Sequence, residues 1–214
     1  MQDSNNRIDP RIVRTKQMIL QALLALMEEK GFDNTTIADI TQRAGLNRGT
    51  FYLHYRDKFE LLAQAQAEML EGLTNRVGDV NPIALLQGLN TNEPFEPIVC
   101  IFDYFIEHAD FFRVMFGPKG DHSFAITLRN LMGDNIYKKI IAVHLREEQL
   151  LIPRDYLITY ITSANLGIIL YWFENGMKLN SHEMALMMTR IMRWGPLQSS
   201  GLLDALSAPN EIKE

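Results

Sequence analysis

The chain has 214 residues, of which 47% are hydrophobic and 22% charged, a length and composition typical of a soluble globular protein with a substantial core. The single cysteine, Cys100, excludes an intramolecular disulfide. The sequence has no apolar leader and no run of 18 apolar residues, so we predict a cytoplasmic protein without a membrane span. The net charge of −5 argues against a strongly basic DNA binder, but residues 1–62 carry nine Lys and Arg against eight Asp and Glu, so the negative charge lies beyond them.

Capping residues mark the start and the end of the first predicted helix. Asp9 before Pro10 is a good cap and first-turn pair, and Gly31 can end the helix after Lys30. Apolar residues recur on one stripe of this helix, which we expect to brace the helices that follow. The stripe consists of Ile12, Ile19, Leu23, Leu26 and Met27.

Residues 35–62 contain two short predicted helices joined by a tight turn, which is the layout of a helix-turn-helix. Thr36 and Asp39 can form a reciprocal capping box at the start of a helix over Ile37–Ala44. Gly45 can adopt the left-handed conformation that ends this helix and allows a sharp turn. The second short helix is therefore expected directly after the turn.

This second helix is predicted over Arg48–Tyr55, with Asn47 as its cap. Phe51 and Tyr55 are four residues apart, so they share a face that we expect to pack in the core. The opposite face is polar and suits DNA, because Arg can bind guanine through two hydrogen bonds and Thr can offer a hydroxyl or a methyl to a base. Each polar residue alone could equally be an ordinary solvated side chain, but the whole constellation favours DNA contact.

A third, long helix is predicted from Lys58 to about Val77, behind a second capping box that Asp57 and Glu60 can form. One short helix is predicted between the breaks at residues 78–82 and 90–97, and no strand alternation is evident. The later helices are predicted over Ile98–His108, Ala109–Phe116, Ser123–Gln149, Pro153–Asn175 and His182–Trp194.

The predicted fold class is all-α, with a three-helix helix-turn-helix domain followed by a helical bundle. The predicted domains are residues 1–57 for DNA binding and residues 58–206 for regulation and dimerisation, linked by the helix that begins at Lys58. Residues 207–214 are predicted to form a flexible tail.

The segment AGLNRGTFYLHYRDKFELL, residues 44–62, resembles the signature of the TetR family of bacterial transcription regulators. The resemblance is specific over about residues 14–70; beyond them it rests on length and helical pattern. Leu53 departs from the family, in which many members carry an aromatic or polar residue at this position, and we do not predict it as a contact. The resemblance implies that the DNA contacts are Thr36, Asn47, Arg48, Gly49, Thr50, Tyr52, His54 and Lys58.

The last two predicted helices are apolar round most of their circumference, which indicates deep core or an oligomer interface. In the family, the last two long helices of each subunit form a four-helix bundle across a two-fold axis, so the resemblance implies a homodimer. A two-fold dimer would also place two reading helices about 34 Å apart, one turn of DNA. The predicted interface residues are Tyr160, Ala164, Gly167, Ile168, Tyr171, Met184, Met187, Met188 and Ile191.

The resemblance also implies a small-molecule pocket in the helical body, and aromatic and Met side chains line such pockets well. The same pattern is more often a filled core, and the sequence does not distinguish the two. Residues of a type that can hold a metal have no metal-motif spacing, so neither a metal nor a cofactor is predicted; they are His108, Asp110, His122, His144 and His182. The predicted pocket residues are Phe102, Phe105, His108, Phe112, Met115, Phe116, Tyr137, Asn165 and Tyr171.

The predicted function is a sequence-specific DNA-binding transcription regulator, a repressor whose affinity for a palindromic operator is modulated by a small effector. The alternative is a regulator or activator controlled by a protein co-regulator. An all-helical enzyme is disfavoured, because the sequence contains no nucleophile–base pair, metal motif or phosphate-binding loop.

Overall fold

The computed structural model describes residues 9–77, 92–142 and 150–200. Among these residues the regular structure is helical and no strand occurs, which confirms the predicted all-α class. The predicted short helix between residues 82 and 90 and the predicted tail lie outside the described residues. The helices are α1 Pro10–Lys30, α2 Ile37–Ala44, α3 Arg48–Tyr52, α4 Lys58–Val77, α5 Glu96–Glu107, α6 Ala109–Phe116, α7 His122–Ala142, α8 Arg154–Glu174 and α9 Ser181–Ser199.

The chain divides into two compact units. The first consists of Met1–Glu71 and Ala109–Leu128, and the second of Gly72–His108 and Arg129–Glu214. The predicted division into residues 1–57 and 58–206 is a statement about independent domains, and it stays a prediction. Helices α4 and α7 each have residues in both units, because the unit boundaries fall within their spans.

The core of the first unit includes one stripe of α1 together with apolar residues of α2, α3 and α4. Ile19, Leu23 and Met27 are fully buried, as are Ile40 and Phe51. Ile12, predicted on the same stripe, is instead 40% exposed, so the buried part of α1 begins later than the sequence suggested. The first turn of α1 is thus open to solvent, and the rest of the helix braces the unit.

A lysine outside α1 holds the end of that helix. Lys119, between α6 and α7, donates from Nζ to the carbonyl oxygens of Glu28 and Glu29 at 3.2 and 2.7 Å. A cation at the C-terminal end of a helix satisfies free carbonyl groups and complements the helix dipole. A further link within this unit is the hydrogen bond from Gln66 Nε2 to Asp121 Oδ2 at 2.9 Å. These bonds hold the short α6–α7 segment against the helix-turn-helix unit.

The capping box predicted at the start of α2 is present. Asp39 N donates to Thr36 Oγ1 at 3.2 Å, and Thr36 N donates to Asp39 Oδ2 at 2.9 Å. Lys30 Nζ donates to the same carboxylate oxygen at 2.7 Å. The Lys30 ammonium and the Thr36 hydrogen bonds hold the pKa of Asp39 well below its usual range. The box therefore also ties the end of α1 to the start of α2.

The cap before α4 differs from the predicted box. Asp57 Oδ1 accepts from Glu60 N at 2.8 Å, as expected, but Glu60 Oε2 accepts from the amide of Arg56 at 2.6 Å instead of that of Asp57. The longer Glu side chain reaches one residue further back along the chain. The structure thus confirms the helix start and corrects one of its two bonds.

The second unit contains an aromatic cluster between α5 and α8. Phe102 meets Trp172 edge to face with ring centroids 5.2 Å apart, and Phe105 meets Phe173 in the same way at 5.9 Å. Helix α9 packs against α5, and Thr189 Oγ1 in α9 accepts from Phe95 N at 3.0 Å. Edge-to-face pairs of this kind stabilise a core beyond their buried area.

The charged form of Asp39 is expected to stabilise the helix-turn-helix. Because its pKa is lowered in the folded chain, the contribution is complete above the unfolded pKa of about 4 and declines as the pH falls below it. Asp39→Asn should therefore lower the melting temperature at pH 7 and matter less at pH 3, measured by circular dichroism. Asp33→Asn, in the preceding loop, is the matched control. A deficit independent of pH would contradict this account.

Candidate nucleic-acid interface

A tight turn between α2 and α3 sets the direction of α3. Gly45 lies in the left-handed region, with φ 67° and ψ 31°. Its N–H donates to Gln42 O at 3.2 Å, and Leu46 N donates to Thr41 O at 2.9 Å. The chain reverses within these residues and enters α3 at Arg48, as the sequence predicted.

The start of α3 is held by a single side chain. Asn47 Oδ1 accepts from Thr50 N at 2.8 Å and from Thr50 Oγ1 at 3.1 Å. Gly49 lies beside this cap, and a Cβ at that position would be 3.2 Å from Asn47 Oδ1. Asn47 and Thr50, both predicted as DNA contacts, are thus partly engaged with each other.

Helix α3 is shorter than predicted. It ends at Tyr52, and His54 N donates to Phe51 O, only three residues back, at 3.0 Å. The residues after Tyr52 therefore form a tighter turn, which the predicted helix over Arg48–Tyr55 did not anticipate. Tyr55 N still donates to Phe51 O at 3.0 Å, so the spacing that pairs the two rings is kept.

Burial fixes which side of α3 faces outward. Phe51 and Tyr55 are buried, as predicted, and burial, together with the negative charges of Glu68 and Glu60, raises the pKa of Tyr55 to about 12. On the other side, Arg48 and Tyr52 are exposed. Leu53, which was not predicted as a contact, is 80% exposed; a large apolar residue outside the core pattern was the available signal in the sequence.

The remaining predicted DNA contacts have identifiable surroundings. Thr36 is exposed and caps α2, and His54 is half-buried beside the ring of Tyr55, with centroids 6.3 Å apart. All of the predicted contacts lie in or directly beside the α2–α3 and α3–α4 segments of the first unit. Their contact with DNA stays a prediction.

Lys58 has a structural role that the sequence did not reveal. Its Nζ donates to the carbonyl oxygens of Phe32, Asp33 and Thr35 at 2.9, 3.0 and 2.8 Å. The ammonium also lies 4.6 Å from the ring centroid of Phe32 and 5.4 Å from that of Phe59. An ammonium has three hydrogens, and each has an acceptor here, so a phosphate contact would have to replace one of these bonds.

The predicted effector residues are divided between the two units. Phe112, Met115 and Phe116 belong to the first unit, where the Phe112 and Phe116 rings pack around Phe124. Phe102 and Phe105 belong to the buried cluster of the second unit.

The polar members of the predicted pocket all lie in the second unit. The ring of His108 is 4.3 Å from that of Tyr104, and the Arg154 guanidinium lies 5.6 Å from the centroid of Tyr137. Asn165 is half-buried, and Tyr171 is 67% exposed. A pocket lined by these residues stays a prediction.

An open cleft of about 840 Å³ lies in the first unit, and none of the predicted pocket residues lines it. It is bordered by the loop after α1, by the start of α4 and by residues 119–123. Phe32, Phe59 and Lys119 are among its lining residues. Within the described residues, no group of three or more His, Cys, Asp or Glu is placed to hold a metal ion.

Helix α8 is apolar, yet few of its residues are buried. Tyr160, Ala164 and Gly167 are exposed, and Ile168 is half-buried. The helix is long and apolar enough to cross a membrane by length and composition, and only 22% of its most apolar stretch is buried. Exposed apolar surface is typical of interaction faces, and the use of α8 as one stays a prediction.

The predicted interface residues of α9 are distributed differently. Met184 is 1% exposed and Met188 is also buried, because this side of α9 faces the core of its own unit. Met187 and Ile191 are half-buried and leave some surface for a partner. Of the predicted interface residues, those of α8 are therefore more exposed than those of α9.

Family comparisons match both parts of the chain. Residues 19–65 match the model described as bacterial regulatory proteins, tetR family, and residues 92–193 match a transcriptional regulator C-terminal region of the same group. The uncharacterized HTH-type transcriptional regulator YxbF of Bacillus subtilis is 28% identical over 156 residues, which are 73% of this chain and 39% of YxbF. The HTH-type transcriptional repressor KstR2 of Mycobacterium tuberculosis is 29% identical over 89 residues, which are 39% of this chain and 44% of KstR2. The chain thus spans less than half the length of these curated relatives.

Solved structures share the fold. A TetR transcriptional regulator from Streptococcus agalactiae superposes with a TM-score of 0.59 and 24% identity, covering 86% of this chain and 96% of that one. The dihydroxyacetone kinase operon activator DhaS superposes with a TM-score of 0.52 and 18% identity, covering 91% and 96%. At these identities the likeness concerns the fold alone.

Lys58→Met separates a structural role of this lysine from a phosphate contact. The variant keeps the aliphatic stem but leaves three carbonyl groups without their donor, so we expect a loss of about 1–3 kcal/mol in unfolding free energy without DNA. Urea denaturation measures this loss, and Lys178→Met, in an exposed loop, is the control. Unchanged stability with a flatter salt dependence of DNA binding would instead assign Lys58 to phosphate.

Proposed function

The chain belongs to the TetR family of bacterial regulatory proteins, and from this premise we propose that it is a sequence-specific DNA-binding transcription regulator of the cytoplasm. The observation that carries the proposal is the exposed edge of α3, oriented by the Gly45 turn, the Asn47 cap and the buried ring of Phe51. In a helix-turn-helix the second helix enters the major groove, and its first residues meet base edges.

The roles of the α3 side chains follow from their chemistry. Arg48, exposed at the first position, can make paired hydrogen bonds to guanine O6 and N7. Tyr52 and His54 carry donors suited to phosphate oxygens at the edge of the groove. Thr36 has a hydroxyl that already accepts from Asp39 N and donates to the Asp39 carboxylate, so its phosphate contact would replace the second bond.

We propose a two-fold homodimer whose interface lies mainly on α8. The exposed residues Tyr160, Ala164, Gly167 and Tyr171 recur on one helix and give it an unpartnered apolar surface. A Cβ at Gly167 would meet no heavy atom of the described residues within 4 Å, so this part of the subunit leaves room for a side chain there. Small residues in such a place allow a partner helix to approach closely.

Repression is the proposed direction of control, and a small effector the proposed signal. KstR2 is named a repressor, which supports this direction, whereas the name of DhaS describes an activator. An effector shifts operator affinity only through its different affinities for two arrangements of the reading heads. Helix α4 is the proposed connection, because it begins beside the helix-turn-helix at Lys58 and ends in the second unit.

Selection of bound sequences from random DNA tests the proposed function directly. We expect a palindromic site with half-sites about one helical turn apart, as two-fold symmetry requires. Recovery of no consensus sequence would contradict a specific DNA-binding regulator. Transcription from a reporter that carries the selected site then distinguishes repression from activation.

Arg48→Ala is expected to weaken binding to the selected site by roughly 1–3 kcal/mol for each guanine contacted and to relax the preference at that position. Fluorescence anisotropy with single-base variants of the site measures both effects. Arg113→Ala is the matched control, since it removes an exposed arginine of α6 that pairs with the exposed Asp110. An unchanged base preference in Arg48→Ala would remove this residue from base readout.

Gly167→Arg tests the α8 interface. The side chain has room within the subunit, so the variant should fold with the same helical content, but its charge should oppose a second apolar α8 face. We expect a monomer by light scattering and weaker binding to the full palindrome, because the two half-sites would no longer be bound together. Gly167→Ala should remain dimeric. A dimeric Gly167→Arg would place the interface elsewhere.

A further inference from the structure

The outward centre of α3 is apolar. At about 100° per residue, Gly49 and Leu53 lie about 160° and about 200° round the helix from the buried Phe51. The structure agrees with this placement, because both residues are exposed and Leu53 continues the right-handed helical conformation, with φ −71° and ψ −20°. The two residues that face away from the core most directly therefore carry no polar side chain.

Leu53 is 80% exposed, more than the neighbouring large apolar residues Tyr52 and Phe59, which are 56% and 62% exposed. Exposing the leucine side chain beside Tyr52 to water is unfavourable, and covering it with another molecule would be favourable because apolar surface would leave the water. Gly49, one turn earlier on the same side, presents no side chain that would hold a partner away. A surface of this shape admits close approach and offers an apolar contact at its centre.

We propose that Leu53 is a specificity-determining residue that contacts the C5-methyl group of a thymine in each half-site; this inference rests on the proposed function. Leucine has neither donor nor acceptor, so among the groups on the major-groove edges only the thymine methyl matches it. The polar neighbours Arg48 and Tyr52 would flank this contact. Leu53 thus adds a preference for thymine at one position of each half-site, through an apolar contact and not through hydrogen bonds.

The test uses the full-length protein and the site selected from random DNA. Each thymine is replaced in turn by deoxyuridine, which removes only the methyl group, and the Kd is measured for the wild type, Leu53→Ala and Leu151→Ala. Leu151 is a fully exposed leucine of the second unit and serves as the matched control. Because Leu53 is exposed, Leu53→Ala should keep the wild-type melting temperature, which is measured alongside.

At one thymine in each half-site we expect removal of the methyl group to raise the wild-type Kd about fourfold, because the burial of one carbon group in the complex is lost. Leu53→Ala should bind the thymine site more weakly and show no further loss with deoxyuridine, whereas Leu151→Ala should behave like the wild type. The same deoxyuridine penalty in Leu53→Ala, or no methyl-sensitive thymine in the wild type, would overturn the inference and leave the proposed function standing. A wild-type protein that selects no sequence would overturn both.

Discussion

The burial of Phe51 and Tyr55 determines how α3 presents itself to another molecule. A helix of five residues is too short to hold its orientation by its own hydrogen bonds, so packing and caps must hold it. Phe51 fixes the rotation about the helix axis, Asn47 fixes its start, and Gly45 fixes the angle at which the chain enters it. Together, these three constraints determine which edge of α3 is exposed.

The unit around α3 is supported by charge as well as by apolar burial. Lys58 and Lys119 donate to carbonyl oxygens at the end of α1 and in the loop after it, and the Asp39 carboxylate accepts from Lys30. The bonds of Lys58 and Lys119 join segments more than twenty residues apart in the chain, and the bond of Lys30 joins the end of α1 to α2. Lys58 shows that a lysine near a candidate DNA surface can have its ammonium group occupied by hydrogen bonds that stabilise the fold.

The sequence was most informative where local chemistry decides the structure. The Thr36–Asp39 box, the Asn47 cap and the Gly45 turn were all predicted, because a cap depends on residues within one helical turn. The early end of α3 was missed, since it depends on a tighter turn after Tyr52 that the apolar pairing of Phe51 with Tyr55 does not reveal.

Contacts between distant segments were harder to predict. Lys58 was interpreted from its place in a motif, whereas its acceptors lie more than twenty residues earlier in the chain. Met184 and Met188 belonged to an apolar helix whose two sides the sequence could not assign, and the structure buries both within the chain itself. For the same reason, aromatic spacing alone could not distinguish a filled core around Phe102 from a hollow pocket, and that choice stays open.

A structure of the protein bound to its selected site tests the central claim most directly. The account predicts one α3 in the major groove of each half-site, with the Arg48 guanidinium within hydrogen-bonding distance of a base edge and the ring of Phe51 turned toward the core. A complex in which α3 lies outside the groove, or in which another surface of the chain contacts the bases, would contradict it.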